Sequence, residues 1–582
     1  MRKGSFTVVA LVICGLLSGA PNSRRLIAAT ADSPVADAAM RGDSAGVKTL
    51  LRGGADVNAA QGDGMTALHW AALGNDLDTM NVLVPAGAST EALTRVGAYT
   101  PLHLASSRGH AAAVARLLDT GSKVGAFTAT GVQPLHLAAQ AGTADAVKAL
   151  LDRGAEINAK DKTHGRTPLM FAASQDRLDA TKLLLARGAD ARLTTTVIDY
   201  RARAAADTQA RQLRDKIASA TTGRAIDSSF DPDPPAPGAV STGQNIGGRG
   251  GRGNGPRPRS DIEQIGMQGG FTALHYAARD GLAAVAAALL DSGLDVNLPT
   301  AGDRSSPMVV ALINGQYDLA LAFLARGANP NLANDDGVTA LFATLNHEWA
   351  LRTWYPQPTA GAQQRASYLE TLEQLLKAGA DPNARTLSHV WYAAYNTGRM
   401  GVDFSGATPF WRAAYSLDVD AMRLLVRYGG DPNIPTMTFG SPRRDNDPSA
   451  LPSAPNGGAH VPPFHAASGV GYGTSRVAQQ HRHVPEGWLR AARYFLEELG
   501  TDVNIRDADG FTALHHAAAR GDNEVIQYLV SRGADVMAVN RAGQTTVDMA
   551  NSPEQRTQPF PATIALLESM GAKNNHNCRA CK

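Results

Sequence analysis

The 582-residue chain is predicted to be an all-α solenoid of paired antiparallel helices with short β-hairpin loops, in two blocks joined by a flexible linker. Three observations carry this. A four-residue phrase, Thr-[Pro/Ala]-Leu-His, recurs along the chain in register. A second phrase, Gly-[Ala/Gly]-Asp-[Val/Pro]-Asn, closes the same units. Between the two phrases, apolar residues fall at helical spacing.

In residues 509–540 each piece of the unit has a local physical job. Thr512 precedes an apolar run and can cap a helix with its hydroxyl. Leu514, Ala517 and Ala518 recur at helical spacing, the alanines small enough to let a second helix approach closely. Gly521 ends that helix where a left-handed residue is needed. Val525, Tyr528 and Leu529 form the stripe of a second helix, which Gly533 stops. Residues Ala534 to Asn540 lead out through an extended turn.

The first phrase recurs at Thr66–His69, Thr100–His103, Thr272–His275 and Thr512–His515. Altered forms stand at Gln133–His136, Thr167–Met170, Ser306–Val309, Thr339–Phe342, Thr408–Trp411 and Pro462–His465. Where no insertion intervenes the spacing is 33 or 34 residues. The closing phrase recurs at Gly54–Asn58, Gly379–Asn383 and Gly429–Asn433, with variants at Gly154–Asn158 and Gly327–Asn331. Period and phrase resemble the ankyrin repeat, of an exported bacterial type, over about 430 of 582 residues. That resemblance implies about twelve units stacked side by side and a role in binding a protein partner. It also implies that Thr66, His69, Thr100, His103, His136, Thr272, His275, Thr512 and His515 serve the repeat itself, each imidazole bridging neighbouring backbone turns.

In chain order, residues 1–31 read as a signal peptide, with Arg2 and Lys3 ahead of a short apolar run and an Ala29-Thr30-Ala31 cleavage site. This predicts a periplasmic or secreted protein with no membrane segment after cleavage. Residues 32–194 form the N-terminal block, opening on a capping unit that lacks the Thr-Pro-Leu-His phrase. Asn75 and Asp176 stand where glycine otherwise ends a first helix. Residues 195–267 are the linker, helix-forming over 198–220 and then rich in Gly, Pro and Arg. The run GGRGGRGNGPRPR at 247–259 cannot bury apolar surface and is predicted to be disordered. Residues 268–573 form the C-terminal block, with insertions at about 349–366, 386–406, 434–459 and 469–485. A Cys-x-x-Cys tail occupies 574–582.

The net charge is +2, which gives no reason to expect nucleic acid or an anionic membrane as partner. The chain carries no nucleophile elbow, zinc-protease or phosphate-loop motif, so the expected protein is a non-enzymatic scaffold without cofactor or metal, monomeric, binding an unknown protein. An accessory subunit of a redox system, or an effector acting on host proteins, is the alternative. Cys578 and Cys581 are candidates for a local disulfide; no histidine follows them, as haem attachment requires. Aromatic residues are concentrated, 12 of 33 lying between Phe342 and Tyr415. Such residues either anchor an interface or supply the insertions with a small core. Trp349, Trp354, Tyr355, Trp391, Tyr392, Tyr395, Trp411 and Tyr415 are therefore candidate partner-binding residues. The two aromatic insertions, in consecutive units, are expected to lie side by side as one raised patch. Tyr99, Phe271 and Phe511, each just ahead of a Thr-x-Leu-His phrase, are expected to point from the hairpin tips towards a partner.

Overall fold

The computed structural model describes residues 33–222, 265–350, 359–388, 390, 402–438, 440, 447–472, 482–552 and 558–578. Among these residues the chain forms twelve helix pairs, units 1 to 12. Units 1 to 5 are Pro34–Met40 with Ser44–Arg52, Ala67–Leu73 with Leu77–Leu83, Pro101–Ser107 with Ala111–Asp119, Pro134–Ala141 with Ala144–Asp152, and Pro168–Ala173 with Leu178–Ala186. Units 6 to 9 are Ala273–Asp280 with Ala283–Asp291, Pro307–Ile313 with Tyr317–Ala325, Ala340–Trp349 with Tyr368–Lys377, and Pro409–Tyr415 with Val419–Arg427. Units 10 to 12 are Pro463–Ala466 with Gly487–Arg493, Ala513–Arg520 with Asn523–Ser531, and Thr546–Ala550 with Pro561–Ser569. First helices pack on first helices along the whole row, and in every unit but unit 10 the first helix also packs closely on the second helix of its own unit. The core is the line of Leu, Val and Ala side chains between them, such as Leu68, Leu102, Leu135, Leu274, Leu341 and Leu514.

The first helices end in the left-handed region, as read from the sequence. Gly142, Gly281 and Gly521 have φ between 73° and 88°, and Asn75 and Asp176 take the same conformation at 57° and 56°. Leu417 does so too, at φ 58°, where a bulky side chain is unusual.

One rule closes the hairpins between consecutive units from unit 2 onwards, whereas between units 1 and 2 Gln61 N–H donates to Met65 O and Asp63 accepts Met65 N–H. A Thr, Asn or Asp donates its N–H to the carbonyl of the residue just ahead of the next helix cap, and its side chain accepts that residue's N–H. Thr94 and Tyr99 do this at 3.0 and 2.9 Å, and Thr128 and Val132 at 2.9 and 3.0 Å. Asn334 with Val338, Asp507 with Phe511 and Asn540 with Gln544 repeat it. A further bond ties hairpin to hairpin, as from Lys162 N–H to Thr130 O at 3.0 Å.

This rule corrects the two-block expectation. Thr195 and Phe271 make the same reciprocal closure at 2.9 Å although 76 residues separate them. The bonds between hairpins also continue, Thr196 N–H to His164 O at 2.8 Å and Ala301 N–H to Gly270 O at 3.0 Å. A Cβ on Gly270 would stand 2.6 Å from the Ala301 nitrogen, so this close approach requires glycine. Units 5 and 6 pack helix on helix like any other neighbours. The solenoid therefore does not break. Residues 196–270 are an excursion from one hairpin tip, not a linker between blocks. Its stem is an antiparallel pair, β1 (Val197–Asp199) and β2 (Met267–Gly269), followed by an exposed helix Tyr200–Thr222. The Arg/Gly-rich stretch at 247–259 lies outside the described residues.

A cut in the excursion should not separate the protein. With a protease site replacing residues 247–259, the cleaved chain should elute as one species on gel filtration and come apart only in denaturant. Elution of two independent fragments would restore the two-block arrangement.

The remaining insertions fall into two classes. Thr386 closes on Ala407 and Thr436 on Val461 by the same hairpin rule, so these insertions also leave from hairpin tips. The insertions after Trp349 and after Ala466 instead separate the two helices of a unit, at the opposite ends of the first helices. The expected single patch from 349–366 and 386–406 is thus not formed by their anchors. One leaves the unit at the helix–helix turn and the other at the hairpin, a helix length apart.

Candidate functional site

The recurring threonines and histidines form one repeated structure. Thr66, Thr100, Thr272 and Thr512 each donate a backbone N–H to the Nδ1 of the histidine three residues on, at 3.1 or 3.2 Å, with the hydroxyl 2.8 or 2.9 Å from the same nitrogen. Gln133 N–H does the same for His136 at 3.1 Å. With Nδ1 accepting, the proton sits on Nε2, which donates across to the next hairpin. His69 reaches Tyr99 O at 3.0 Å, His103 reaches Val132 O at 3.2 Å, and His136 reaches Arg166 O at 3.1 Å. His515 reaches Gln544 O at 3.4 Å. Each imidazole thus satisfies an orphan helix N–H, and His69, His103, His136 and His515 staple their units to the next, whereas the buried Nε2 of His275 has no hydrogen-bond partner among the described residues. All five rings are fully buried. Burial holds them below the ordinary imidazole range, to about 4 for His103 and His275 and about 3 for His515. His69 and His136 are lowered for the same reason. They are structural, neutral groups.

The aromatic residues ahead of the caps lie over these rings. Tyr99 meets His103 edge-on at 6.0 Å, Phe271 tilts against His275 at 5.5 Å, and Phe511 meets His515 edge-on at 5.8 Å. Phe511 is buried, and Tyr99 and Phe271 half-buried, so these side chains cover the staples instead of projecting freely to a partner.

Trp411 and Tyr415 are corrected outright: both are core residues, 0% and 1% exposed. Their rings stack at 5.4 Å, and Phe404 stands edge-on to both. Trp411 occupies the position of the stapling histidine in Thr408-Pro409-Phe410-Trp411. Its Nε1–H donates to Val461 O at 2.9 Å, the carbonyl that a histidine would take. Trp349 is half-buried at the helix–helix turn of unit 8. Its Nε1–H and the Tyr368 hydroxyl both donate to Asp418 Oδ2, at 3.0 and 2.8 Å. The Arg482 guanidinium stands 5.9 Å from the Trp349 ring centre and donates to Ala350 O at 3.2 Å. Asp418 caps the second helix of unit 9 through Ala421 N–H at 3.0 Å, and burial raises its carboxyl above the usual range. Trp354, Tyr355, Trp391, Tyr392 and Tyr395 lie outside the described residues.

Exposed apolar side chains concentrate instead at the hairpins of the early units. Leu93 is 55% exposed, Val96 80% and Phe127 52%. Leu93 and Phe127 each precede a hairpin-closing threonine, so they are equivalent residues of adjacent hairpins, which the Ala129 N–H to Gly97 O bond joins at 2.9 Å. The Lys162 ammonium lies 5.5 Å from the Phe127 ring centre. Among the described residues no helix is long and apolar enough to cross a membrane. Cys578 is disulfide-bonded; Cys581 lies outside the described residues.

Family models for ankyrin repeats match residues 35–128, 120–195, 269–301 and 480–530. The chain is an ankyrin-repeat protein. Curated relatives match it over short stretches. Protein phosphatase 1 regulatory subunit 12A of Rattus norvegicus is 32% identical over 108 residues, 19% of this chain and 10% of that protein. Palmitoyltransferase Hip14 of Drosophila melanogaster is 35% identical over 88 residues, 15% of this chain and 14% of its own length. Ankyrin repeat domain-containing protein 49 of Homo sapiens is 47% identical over 51 residues, 9% of this chain and 21% of that protein. The chain therefore spans at most about a fifth of the length of these relatives, and an ankyrin repeat implies a protein-binding scaffold, not a particular partner.

Two features of this ankyrin stack escaped the sequence reading. The hairpin-closing Thr, Asn or Asp has no fixed spacing from the next cap once an insertion intervenes. The exposed Leu93 and Phe127 were legible as equivalent positions 34 residues apart, but burial alone separates them from the other apolar residues of the unit.

Proposed function

We propose that this protein is an exported, non-enzymatic scaffold that holds a protein partner on the hairpin edge of its early units. The observation carrying it is the row formed by Leu93, Val96 and Phe127, three large apolar side chains left in water on adjacent hairpins. Such a row is costly unless something covers it, and recurrence at equivalent positions of consecutive units suits one continuous partner surface. Lys162 at its margin favours a partner with acidic groups around an apolar ridge. Export is supported by the basic and apolar start of the chain and by the disulfide at Cys578, since disulfides persist in oxidising compartments.

The test is capture from the native envelope fraction with the full chain as bait. Changing Leu93, Val96 and Phe127 together to Ser should weaken capture by about 2 kcal/mol or more, with the melting temperature unchanged. Trp349→Ala, at the other end of the units, should leave capture intact. The reverse pattern would move the binding face to the helix–helix turns.

A further inference from the structure

Three residues depart from the repeat rule in units 10 and 11, each for its own local reason, and all three meet at one point. The first is Pro462, which stands at the cap of unit 10 where threonine stands in most others. Proline has neither N–H nor hydroxyl, so the Nδ1 of His465 lacks the donor that caps His69, His103, His275 and His515. Its Nε2 lies 2.9 Å from Ile505 O, two residues before the hairpin-closing Asp507, as that of His103 lies 3.1 Å from Ala126 O, two residues before Thr128. The second is Asp507, which closes the following hairpin. Oδ1 does the work that Thr, Asn or Asp does elsewhere, accepting from Phe511 N–H at 2.9 Å and Asp509 N–H at 3.0 Å, and Oδ2 is left over. In the other hairpin closed by aspartate among the described residues, the spare oxygen of Asp161 accepts from Arg166 at 2.8 Å. The third is His516, at the position that Trp70, Leu104, Leu137, Phe171 and Tyr276 fill in other units.

His465 Nδ1, Asp507 Oδ2 and His516 Nε2 are all buried without a hydrogen-bond partner. The residues are 0%, 4% and 5% exposed. His465 Nδ1 faces Asp507 Oδ2 at 3.9 Å, and the two imidazole rings lie 5.2 Å apart. One ligand atom from each residue lies within 4.8 Å of the other two. With Nε2 donating to Ile505, His465 turns a lone pair towards a carboxylate lone pair, an arrangement that asks for a cation between them. Arg520, one turn on from His516, does not meet that need: its guanidinium is committed to Asp522 at 2.7 Å and Ser468 O at 2.6 Å.

We propose that His465, Asp507 and His516 bind a divalent transition-metal ion. Two imidazole nitrogens and one carboxylate oxygen are a ligand set suited to zinc, cobalt or a similar ion, with the remaining position left open. Ligand atoms of a tetrahedral zinc site stand roughly 3.3 Å apart, so each side chain has about 1 Å or less to close. The ion would clamp unit 10 to unit 11 where clamping is most useful, since the first helix of unit 10 is reduced to four residues, Pro463–Ala466.

Three substitutions, each restoring the ordinary repeat residue, test this without endangering the fold: Pro462→Thr, Asp507→Asn and His516→Leu. Asn keeps the hairpin closure, as Asn334 and Asn540 show. The full chain, stripped by a chelator and then given Zn2+ alone, should retain one equivalent that each variant loses. Cobalt(II) should give a visible d–d spectrum in the wild type only. Zn2+ should raise the melting temperature of the wild type and not of the variants, all melting normally in chelator. Failure of the wild type to retain zinc, or equal retention by the wild type and the variants, would overturn the assignment.

Discussion

Lowering the pH from 7 to 5 should unfold much of the solenoid, before ordinary carboxylates titrate. The buried repeat histidines are neutral in the native chain because Nδ1 must accept the cap N–H, and burial depresses them to about 4 for His103 and His275 and about 3 for His515. In the unfolded chain each returns to about 6.5. Between these values the unfolded chain binds protons that the native chain refuses, so stability is full above about pH 6.5 and falls as pH drops towards 4. At pH 5 the loss is about 2 kcal/mol for each such histidine. His69 and His136 are shifted in the same direction and add to it. Three to five such histidines together rival the whole stability of a typical domain, about 5–15 kcal/mol. Far-ultraviolet dichroism against pH should show a steep loss of helix between pH 6 and 4.5, and calorimetry in two buffers should show several protons taken up on unfolding. A helical signal intact at pH 4, or uptake below one proton, would show that the staples do not control stability.

Trp411→Ala should cost about 3–5 kcal/mol, as for other fully buried aromatic side chains removed from a core. The indole is 0% exposed, lies between Tyr415 and Phe404, and carries the bond to Val461 O that joins unit 9 to the next hairpin. The truncation therefore opens a cavity and takes from Val461 O one of its two donors, leaving the Thr436 N–H. Trp411→Phe separates the two contributions, keeping most of the volume and losing the bond. Urea unfolding of both variants is the measurement. A change under 1 kcal/mol for Ala would return Trp411 to the surface.

The repeat was legible because its determinants are local. Thr-x-Leu-His is a cap and its donor within four residues, and a glycine or Asn75 ends the same helix. Pairings between distant residues were not legible. Nothing near Thr195 announces that Phe271 is its partner, and the change of composition in between reads as a boundary when it is only an excursion. The aromatic cluster misled for another reason. Richness in Trp and Tyr is shared by interfaces and cores, and only register discriminates: Trp411 sits three residues after its cap, the staple position, which already places it inside. The His465–Asp507–His516 group was hidden in the same way, since each departure looks like ordinary drift until the three are seen to converge.

The hairpin closure makes the tip of each hairpin a port. Whatever lies between Thr195 and Phe271, between Thr386 and Ala407, or between Thr436 and Val461, the bonds that shape the scaffold are already made below it. Widening a closure from the 4 residues of Thr128 and Val132 to the 76 of Thr195 and Phe271 costs about 2.6 kcal/mol of chain entropy. A row of stacked units can absorb that. The three ports open on the same edge of the molecule, so foreign sequence, a recognition loop or a whole folded domain, could be spliced into any of them and displayed without disturbing the row. In that sense the chain is a rack with three occupied slots, and the closures beneath them mark where it can be re-engineered.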